Sequence, residues 1–424
     1  MDHLAGDEVI STSNGNQNSS FKAIQLADIE RAREFLRNKV TKTPVRRCPN
    51  ALEIPGTELY FKCENQQLTG SFKIRGALNK MNSLTEEEKR RGVVASSAGN
   101  HAQGVAYAAN ELGVTAHIVM PVTAPIVKIN ATKSYGANVV LHGDVYDEAY
   151  ARAKELESQN GYTFVHAYQD AHVIAGQGTI GLEIFEDLPD LDSVVIPIGG
   201  GGLISGVATA LKALKPSIKV IGVVSNQAPG MMHLFRSQPE SVSKKRISTI
   251  AEGIAVKIPS PLMFETYISK LVDEIVEVDD NEIAQAIVFL LEKGKTVVEG
   301  AGASGLAAVM SRTLCLGKKS CVVLSGGNID LNVMAKVIER GLRREHRLAR
   351  FAVVCDDLPG NLNRITNVMA ENRANILEVY HDRVSPELGL RETRIDLLVE
   401  TLSDDHIREI EEALKAQGFR IIHG

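Results

Sequence analysis

Short apolar runs alternate with longer amphipathic segments over most of the chain. The apolar runs are typical of buried strands and lie at 59–61, 93–96, 116–120, 138–141, 164–166, 193–198, 219–224 and 320–324. Apolar positions recur at helical spacing at 74–84, 102–112, 125–135, 146–159, 178–187, 203–214, 280–291 and 302–314, and a first helix begins near Asp28. This alternation predicts βαβ units and a mostly parallel sheet.

The pattern changes after about Arg340. An arginine-rich connector at 341–350 leads into strands at 351–355, 374–380, 394–400 and 419–422. Two amphipathic helices separate them, with their apolar faces at Leu362, Ile365, Val368 and Met369, and at Ile407, Ile410 and Leu414. The order βαββαβ over about 75 residues predicts a ferredoxin-like unit.

These patterns divide the chain into three parts. Residues 1–22, rich in Asn, Ser and Gly, form a polar tail that we expect to be disordered. A two-lobed α/β domain follows at 23–345, with its smaller lobe at about 92–168, and the ferredoxin-like unit occupies 346–424. The tail lacks a basic start and an apolar stretch, so we do not expect a signal peptide.

Composition narrows the classes of function. The 47 basic and 52 acidic side chains give a net charge of −5, which does not favour binding to nucleic acid or anionic membrane. Tryptophan is absent and aromatic residues make up 5% of the chain, which argues against stacking surfaces. Five cysteines without metal-binding spacing predict reduced thiols and a cytoplasmic protein. No apolar run is long enough to span a membrane.

A run of four glycines is the strongest local signal. Gly199, Gly200, Gly201 and Gly202 follow an apolar run and precede Leu203, which opens a predicted helix. Glycines there let backbone N–H groups approach an anion at a helix N-terminus, which predicts a phosphate site. The run fits neither a dinucleotide fingerprint nor a P-loop. A tight strand-to-helix turn is the alternative.

Three other segments carry candidate chemistry. Lys73, in Ser-Phe-Lys-Ile-Arg-Gly, is either a surface charge or a Schiff-base lysine in a desolvated pocket. Asn100 and His101 follow small residues at a helix start, which suits a carboxylate, although Asn100 alone would also suit an N-cap. Ser325, in Ser-Gly-Gly-Asn, follows a strand at the edge where open α/β sheets bind ligands.

A lysine, a phosphate cradle and polar groups after strand ends fit pyridoxal phosphate. Five motifs in this order resemble the threonine dehydratase and serine racemase group, pyridoxal-phosphate enzymes of the tryptophan-synthase-β fold. The resemblance covers about 24–341. The motifs are Ser71-Phe-Lys-Ile-Arg-Gly-Ala77, Ser97-Ala-Gly-Asn-His-Ala-Gln-Gly104, Ala175-Gly-Gln-Gly-Thr-Ile180, Gly199-Gly-Gly-Gly-Leu203 and Ser325-Gly-Gly-Asn328.

The resemblance implies a role for each cofactor residue. Lys73 would form the Schiff base, Phe72 would pack near the cofactor ring, and Asn100 would bond its phenolic oxygen. The backbone of 199–203 would hold the phosphate, and Ser325 would bond the pyridine nitrogen. Glu299 resembles an acidic residue placed near the cofactor, or is a solvated carboxylate at a helix start.

The substrate loop and the reaction follow from the same resemblance. The substrate carboxylate would bind at Ser97, Ala98, Gly99, Asn100 and His101. A neutral partner such as Ser325 makes the ring a weaker electron sink, which favours β-elimination over transamination. Lys73 would remove the Cα proton of L-threonine or L-serine, and the β-hydroxyl would leave, protonated by the cofactor phosphate. The products would be ammonia and 2-oxobutanoate or pyruvate.

Two departures from the family matter. Racemases of the group carry a second serine where this chain has Ala98, so two-base racemisation lacks one base and a dehydratase is favoured. Val224 and Gly230 occupy the places where divalent-metal-binding relatives have acidic residues, so we expect no such site there. The alternatives are a serine or hydroxyaspartate racemase or dehydratase, and a non-catalytic amino-acid sensor.

The C-terminal unit resembles an ACT domain, a regulatory amino-acid-binding module. The resemblance lies in Leu358-Pro-Gly-Asn-Leu362 and Arg373-Ala-Asn-Ile376. It implies an effector at Leu358, Gly360, Asn361 and Leu362, with isoleucine or valine the candidates for a biosynthetic enzyme, and pairing of modules in a homo-oligomer. A dimerisation unit without a ligand is the alternative. The sequence leaves open whether the role is biosynthetic or catabolic.

Overall fold

The computed structural model describes residues 21–238, 247–312 and 314–422. The predicted polar tail therefore lies outside the described residues, apart from 21 and 22. Among the described residues, no helix is both long and apolar enough to cross a bilayer.

Helices and strands alternate as the sequence predicts. The helices are α1 Leu26–Leu36, α2 Lys73–Asn82, α3 Glu86–Arg91, α4 Asn100–Glu111, α5 Ile126–Ser134, α6 Tyr146–Asn160, α7 Ala171–Asp187, α8 Gly202–Leu214, α9 Gly230–Phe235, α10 Pro261–Met263, α11 Ser269–Leu271, α12 Asp280–Glu292, α13 Gly300–Ser311, α14 Leu331–Arg344, α15 Asn361–Glu371 and α16 Asp404–Ala416. The strands are β1 Val45–Arg47, β2 Glu58–Lys62, β3 Val93–Ser96, β4 Ala116–Met120, β5 Asn138–Leu141, β6 Thr163–Phe164, β7 Ser193–Pro197, β8 Lys219–Ser225, β9 Glu274–Val278, β10 Lys319–Val323, β11 Leu348–Asp356, β12 Asn375–Asp382, β13 Glu392–Glu400 and β14 Arg420–Ile422.

Two parallel sheets build the larger part of the molecule. The large-lobe sheet has the order β1-β2-β10-β7-β8-β9, and only β1 runs antiparallel to its neighbour. The small-lobe sheet has the order β5-β4-β3-β6 and is parallel throughout. Every residue of β3 and β7 is buried, because helices cover both faces of these strands. The predicted parallel α/β architecture is confirmed.

Helix α7 begins at Ala171, seven residues before the start that the apolar spacing predicts. Gly176 and Gly178 lie inside the helix, where it crosses its neighbours closely. A methyl group at Gly176 would lie 2.5 Å from the carbonyl oxygen of Arg75, and one at Gly178 would lie 3.0 Å from that of Gly206. These glycines therefore permit close approach of α2, α7 and α8, at the usual cost to helix propensity.

Several further elements were not predicted from the sequence, among them β9 and α14. Strand β9 carries Glu274 and Glu277 among its apolar residues and forms the edge of the large sheet, so it lacks the apolar run of a central strand. Helix α14 ends at Arg344, and the predicted domain boundary near Glu345 falls at its C-terminus.

The C-terminal unit is a four-stranded antiparallel sheet covered by two helices. Its order is β12-β13-β11-β14, and α15 and α16 pack on one face. The buried core joins Phe351 and Val353 of the sheet to Ile365 and Ile410 of the helices. This is the βαββαβ order that the sequence predicts.

A buried network of four charges holds the start of α2. The Arg75 guanidinium donates to Glu64 Oε1 and Oε2 at 2.8 Å each, and to Glu183 Oε1 and Oε2 at 2.6 and 2.9 Å. Lys62 Nζ donates to Glu183 Oε2 at 2.5 Å, and the Thr43 hydroxyl donates to Glu64. The four charges can be buried because the two cations pair with the two carboxylates. The network ties β2, α2 and α7 together.

Removing one charge from this network should make the protein less stable. Glu183→Gln leaves Lys62 and Arg75 with an uncompensated buried positive charge, and we expect it to lower the free energy of unfolding by about 3–5 kcal/mol. Urea denaturation measures the change. Glu186→Gln, on the same helix, removes only exposed pairs with Arg33 and Lys42 and should cost less than about 1 kcal/mol. Equal losses in the two variants would contradict this account.

Candidate functional site

The predicted site residues meet where strands of both sheets end. The glycine run follows β7, Ser325 follows β10, and Asn100 opens α4 just after β3. Lys73 opens α2, which packs against α4 and α7. Parallel strands place their carboxyl ends at one edge, so residues far apart in sequence come together there.

Lys73 is a partly buried amine with a single hydrogen-bond acceptor among the described residues. Its Nζ donates to the carbonyl oxygen of Ala167 at 3.0 Å and lies 5.1 Å from the centre of the Phe72 ring. Burial lowers the pKa of this ammonium group to about 8, partly offset by the charge of Glu299. A lysine with this pKa loses its proton about two pH units more readily than an exposed lysine and can act as a nucleophile or a base.

The glycine run forms a cradle that backbone atoms line. Gly201 has φ of +93°, a conformation that favours glycine, and it caps α8. Within the described chain, the N–H groups of Gly200, Gly201 and Gly202 donate no hydrogen bond. A side chain at Gly200 would overlap the ring of Tyr168. Leu203 is buried behind the run. Free N–H groups at the start of a 13-residue helix suit a phosphate.

Asn100 belongs to a series of hydrogen-bonded polar side chains that connects the small lobe to the large lobe. Its Nδ2 donates to Glu299 Oε1 at 2.6 Å, and its Oδ1 accepts from Asn328 Nδ2 at 2.8 Å. Asn328 also donates to the carbonyl oxygen of Thr69 at 2.8 Å. Asn100 is thus fixed in orientation by a carboxylate on one side and an amide on the other.

Glu299 is not a solvated carboxylate. It is partly buried at the start of α13, and burial raises its pKa to about 7, although the hydrogen bond from Asn100 and the charge of Lys128 act in the opposite direction. Lys128, on α5, pairs with Glu252 beside this group. The geometry therefore favours a site role for Glu299 over the alternative.

Ser325 and Phe72 lie side by side at the end of β10. The N–H of Phe72 donates to the carbonyl oxygen of Ser325 at 3.1 Å, and Ser325 is 3% exposed. Within the described chain the Ser325 hydroxyl has no hydrogen-bond partner, so it remains available to a ligand.

The predicted substrate loop turns tightly between β3 and α4. The N–H of Gly99 donates to the Ser97 hydroxyl at 3.1 Å, and Ala98 contributes no polar side-chain atom. His101 is buried, and its Nε2 contacts the carbonyl oxygen of Val165 at 2.8 Å. Burial lowers the pKa of His101 to about 3, so the ring is neutral and donates to Val165. Carboxylate binding at this loop stays a prediction.

Sequence reasoning missed the segment 165–169, which forms one wall of the site. It accepts hydrogen bonds from Lys73 and His101 through its backbone, and it places Tyr168 against the glycine run. The alternating rings of Phe164, His166 and Tyr168, in a chain with few aromatic residues, could have pointed to this segment. Among the described residues, no cluster of His, Cys, Asp or Glu is arranged to hold a metal ion.

Comparisons with known proteins agree with this geometry. A family model described as pyridoxal-phosphate dependent enzyme matches residues 36–326. The chain is 49% identical to an L-threonine ammonia-lyase of Thermotoga maritima over 399 residues, which cover 94% of this chain and 99% of that protein. Because 399 residues are more than the region before residue 346 can hold, this match extends into the C-terminal unit.

Solved structures resemble the two-lobed part. Maize serine racemase superposes with a TM-score of 0.70 at 34% identity and covers 77% of this chain and 100% of its own. The processed form of threonine deaminase isoform 2 from Solanum lycopersicum gives a TM-score of 0.68 at 36% identity, covering 74% and 86%.

Replacing Glu299 by Gln should change how stability depends on pH. The pKa of this carboxyl is about 7 in the folded protein and 4.5 ordinarily. Ionisation of Glu299 therefore lowers the stability of the wild type as pH rises from 4.5 to about 7, and the variant lacks this contribution. The melting temperature of Glu299→Gln minus that of the wild type should increase from about pH 5 to about pH 8. Glu265→Gln, an exposed position, controls for the loss of one charge. A constant difference for Glu299→Gln would refute the shifted pKa.

Proposed function

The chain belongs to the family of pyridoxal-phosphate dependent enzymes, and we propose that it is an L-threonine ammonia-lyase. It converts L-threonine, and L-serine, to a 2-oxo acid and ammonia by β-elimination. The observation that supports this most directly is a lysine of lowered pKa at one wall of a site whose other wall is a glycine cradle with unpaired N–H groups. Relatives named L-threonine ammonia-lyase at 45–49% identity over most of the chain point to the same reaction.

The residues present fit the cofactor. The N–H groups of Gly200–Gly202 and the N-terminus of α8 would hold the phosphate, and the Lys73 amine would hold the aldehyde carbon. Asn100 would hold the phenolic oxygen and Ser325, with its unpaired hydroxyl, the ring nitrogen. When bound, pyridoxal phosphate stabilises negative charge at the substrate Cα and so allows the β-hydroxyl to leave.

The side chains of this chain determine the outcome of the reaction. Lys73 Nζ, whose pKa burial lowers to about 8, is unprotonated in a larger fraction of molecules at neutral pH than an exposed lysine, and it takes the proton from Cα. Ser325 offers a neutral hydroxyl and no carboxylate, so it does not stabilise a proton on the ring nitrogen as an aspartate would. Glu299 and Asn328 keep the Asn100 amide in one orientation.

Racemisation is disfavoured at this site. It needs a second acid or base on the face of Cα opposite the lysine, and position 98 is alanine. Ser97 nearby already accepts a hydrogen bond from Gly99. A serine or hydroxyaspartate racemase, although related in structure, is therefore the weaker proposal.

Residues 23–345 then form the catalytic domain, and 346–424 a regulatory ACT domain. We place an amino-acid effector, isoleucine or valine, at the turn that opens α15, where Leu358 and Leu362 are exposed. The domain would pair with a second copy in a homo-oligomer. Five free cysteines support a cytoplasmic location.

Lys73→Ala should abolish turnover and the yellow colour of the bound cofactor. The expected loss is at least about a thousandfold in kcat, because both the amine that holds the cofactor and the base are removed. Formation of 2-oxobutanoate from L-threonine measures it. Lys80→Ala, on the same helix and paired with Asp170, serves as the control and should keep most activity. A wild-type protein that racemises L-serine faster than it deaminates L-threonine would overturn the proposal.

The effector site can be tested by adding a charge. Leu358→Glu places a carboxylate beside the proposed carboxylate-binding turn, so about tenfold more isoleucine or valine should be needed to change L-threonine deamination. Leu402→Glu, also at an exposed position but at the opposite end of the sheet, should respond as the wild type does. A wild-type rate that neither isoleucine, valine nor a nucleoside monophosphate alters would argue for a dimerisation unit without a ligand.

A further inference from the structure

Five aromatic rings form a continuous row from the small lobe to the glycine run. Tyr146 and Tyr150 lie 6.0 Å apart between ring centres, and Tyr150 lies 5.4 Å from Phe164. Phe164 is 6.1 Å from His166, which meets Tyr168 edge-on at 4.6 Å. These separations lie in the range where rings attract one another. The proposed reaction uses none of these five side chains.

The local backbone explains why the rings align. Tyr146 and Tyr150 are one turn apart on α6, so they share a face of that helix. Phe164, His166 and Tyr168 occupy alternate positions along the chain that leaves β6, and each of these rings contacts the next. The row therefore begins on a helix of the small lobe and ends at the large lobe.

Tyr168 fills the space that the glycines leave. A methyl group at Gly200 would overlap its ring, and one at Gly202 would lie 2.9 Å from its Cα and Cβ atoms. Tyr168 therefore occupies the space that side chains at Gly200 and Gly202 would otherwise need. This contact limits how far the cradle can move towards Tyr168.

His166 holds Tyr168 in place. Its Nδ1 accepts hydrogen bonds from the N–H groups of Tyr168 at 3.3 Å and Gln169 at 2.9 Å. Gln169 in turn accepts a hydrogen bond from the Ser260 hydroxyl at 3.0 Å, which anchors the segment to the large lobe. Burial lowers the pKa of His166 to about 4, so the ring stays neutral and keeps Nδ1 free to accept.

We propose that Tyr168 is a positioning residue for the phosphate-binding loop: its ring, held by His166 and the aromatic row, keeps the N–H groups of Gly200–Gly202 in the arrangement that receives the phosphate. The inference rests on the proposed function, because it concerns the cofactor's phosphate. Ring packing, not the phenolic hydroxyl, performs this role, since the contacts with the loop are made by ring carbons.

Cofactor binding tests the inference without relying on turnover. Apoenzyme of the wild type, Tyr168→Phe and Tyr168→Ala is titrated with pyridoxal phosphate, and binding is followed by visible absorbance. The phosphorus NMR signal of the bound phosphate reports its hydrogen-bonded surroundings. Tyr168→Ala should bind about tenfold or more weakly and show a displaced phosphorus signal. Tyr168→Phe should match the wild type in both.

A pair of double variants separates loop packing from general damage to the fold. Gly200→Ala should weaken cofactor binding, and Gly200→Ala with Tyr168→Ala should bind more tightly than Gly200→Ala alone, because the overlapping ring is gone. Gly202→Ala with Tyr168→Ala should show no such recovery. The atoms that a methyl at Gly202 would meet are Cα, Cβ and the carbonyl oxygen of residue 168, which alanine keeps.

The outcomes distinguish the two proposals. A wild-type protein that binds no pyridoxal phosphate would refute the proposed function. A wild type that binds it, together with Tyr168→Ala of unchanged affinity and phosphorus signal, would refute the positioning role alone. Tyr168→Leu provides a second test if the alanine variant does not fold, since leucine keeps bulk but cannot cover the loop as a ring does. Equal recovery in both double variants would also overturn the inference.

Discussion

The buried charges around Arg75 are the constraint on which the site depends. Two cations and two carboxylates without access to water are stable only when each meets its partner at hydrogen-bond distance. Arg75 follows Lys73 by two residues, so fixing the guanidinium also fixes the start of α2. The same network holds β2 and α7, which flank the site. Electrostatic matching inside the large lobe thus sets where the reactive amine lies.

Lys73 and Glu299 both lie in surroundings that disfavour their charged forms. Burial disfavours the charged form of Lys73, and the nearest carboxylate, Glu299, is likewise disfavoured in its charged form. The pKa of Glu299 therefore rises to about 7 and that of Lys73 falls to about 8, so the two groups titrate much closer together than they would in water. A protein tolerates such placement when the surrounding packing determines it, and functional sites are where this is usual.

The sequence allowed the parallel architecture, the glycine cradle and the lysine to be predicted, because each depends on local pattern. The start of α7 and the role of Tyr168 could not be predicted in the same way. The apolar spacing predicts this helix only from residue 178, whereas α7 begins at Ala171 and includes Gly176, where α2 passes close by. The role of Tyr168 depends on its contact with Gly200. The two residues are far apart in sequence, and local sequence pattern does not show that they meet in the fold.

The glycine crossings of α2, α7 and α8 have a mechanical consequence. Where backbones pack without intervening side chains, a helix has little room to shift against its neighbour, so we expect these three helices to move together. Lys73 begins the first of them, Tyr168 precedes the second, and the glycine cradle precedes the third. Thermal motion therefore displaces these three parts of the site together. Asn100 opens α4, and a methyl group at Gly104 of that helix would lie 3.2 Å from the backbone of Lys73 and Ile74, so the same close packing extends to the start of α4.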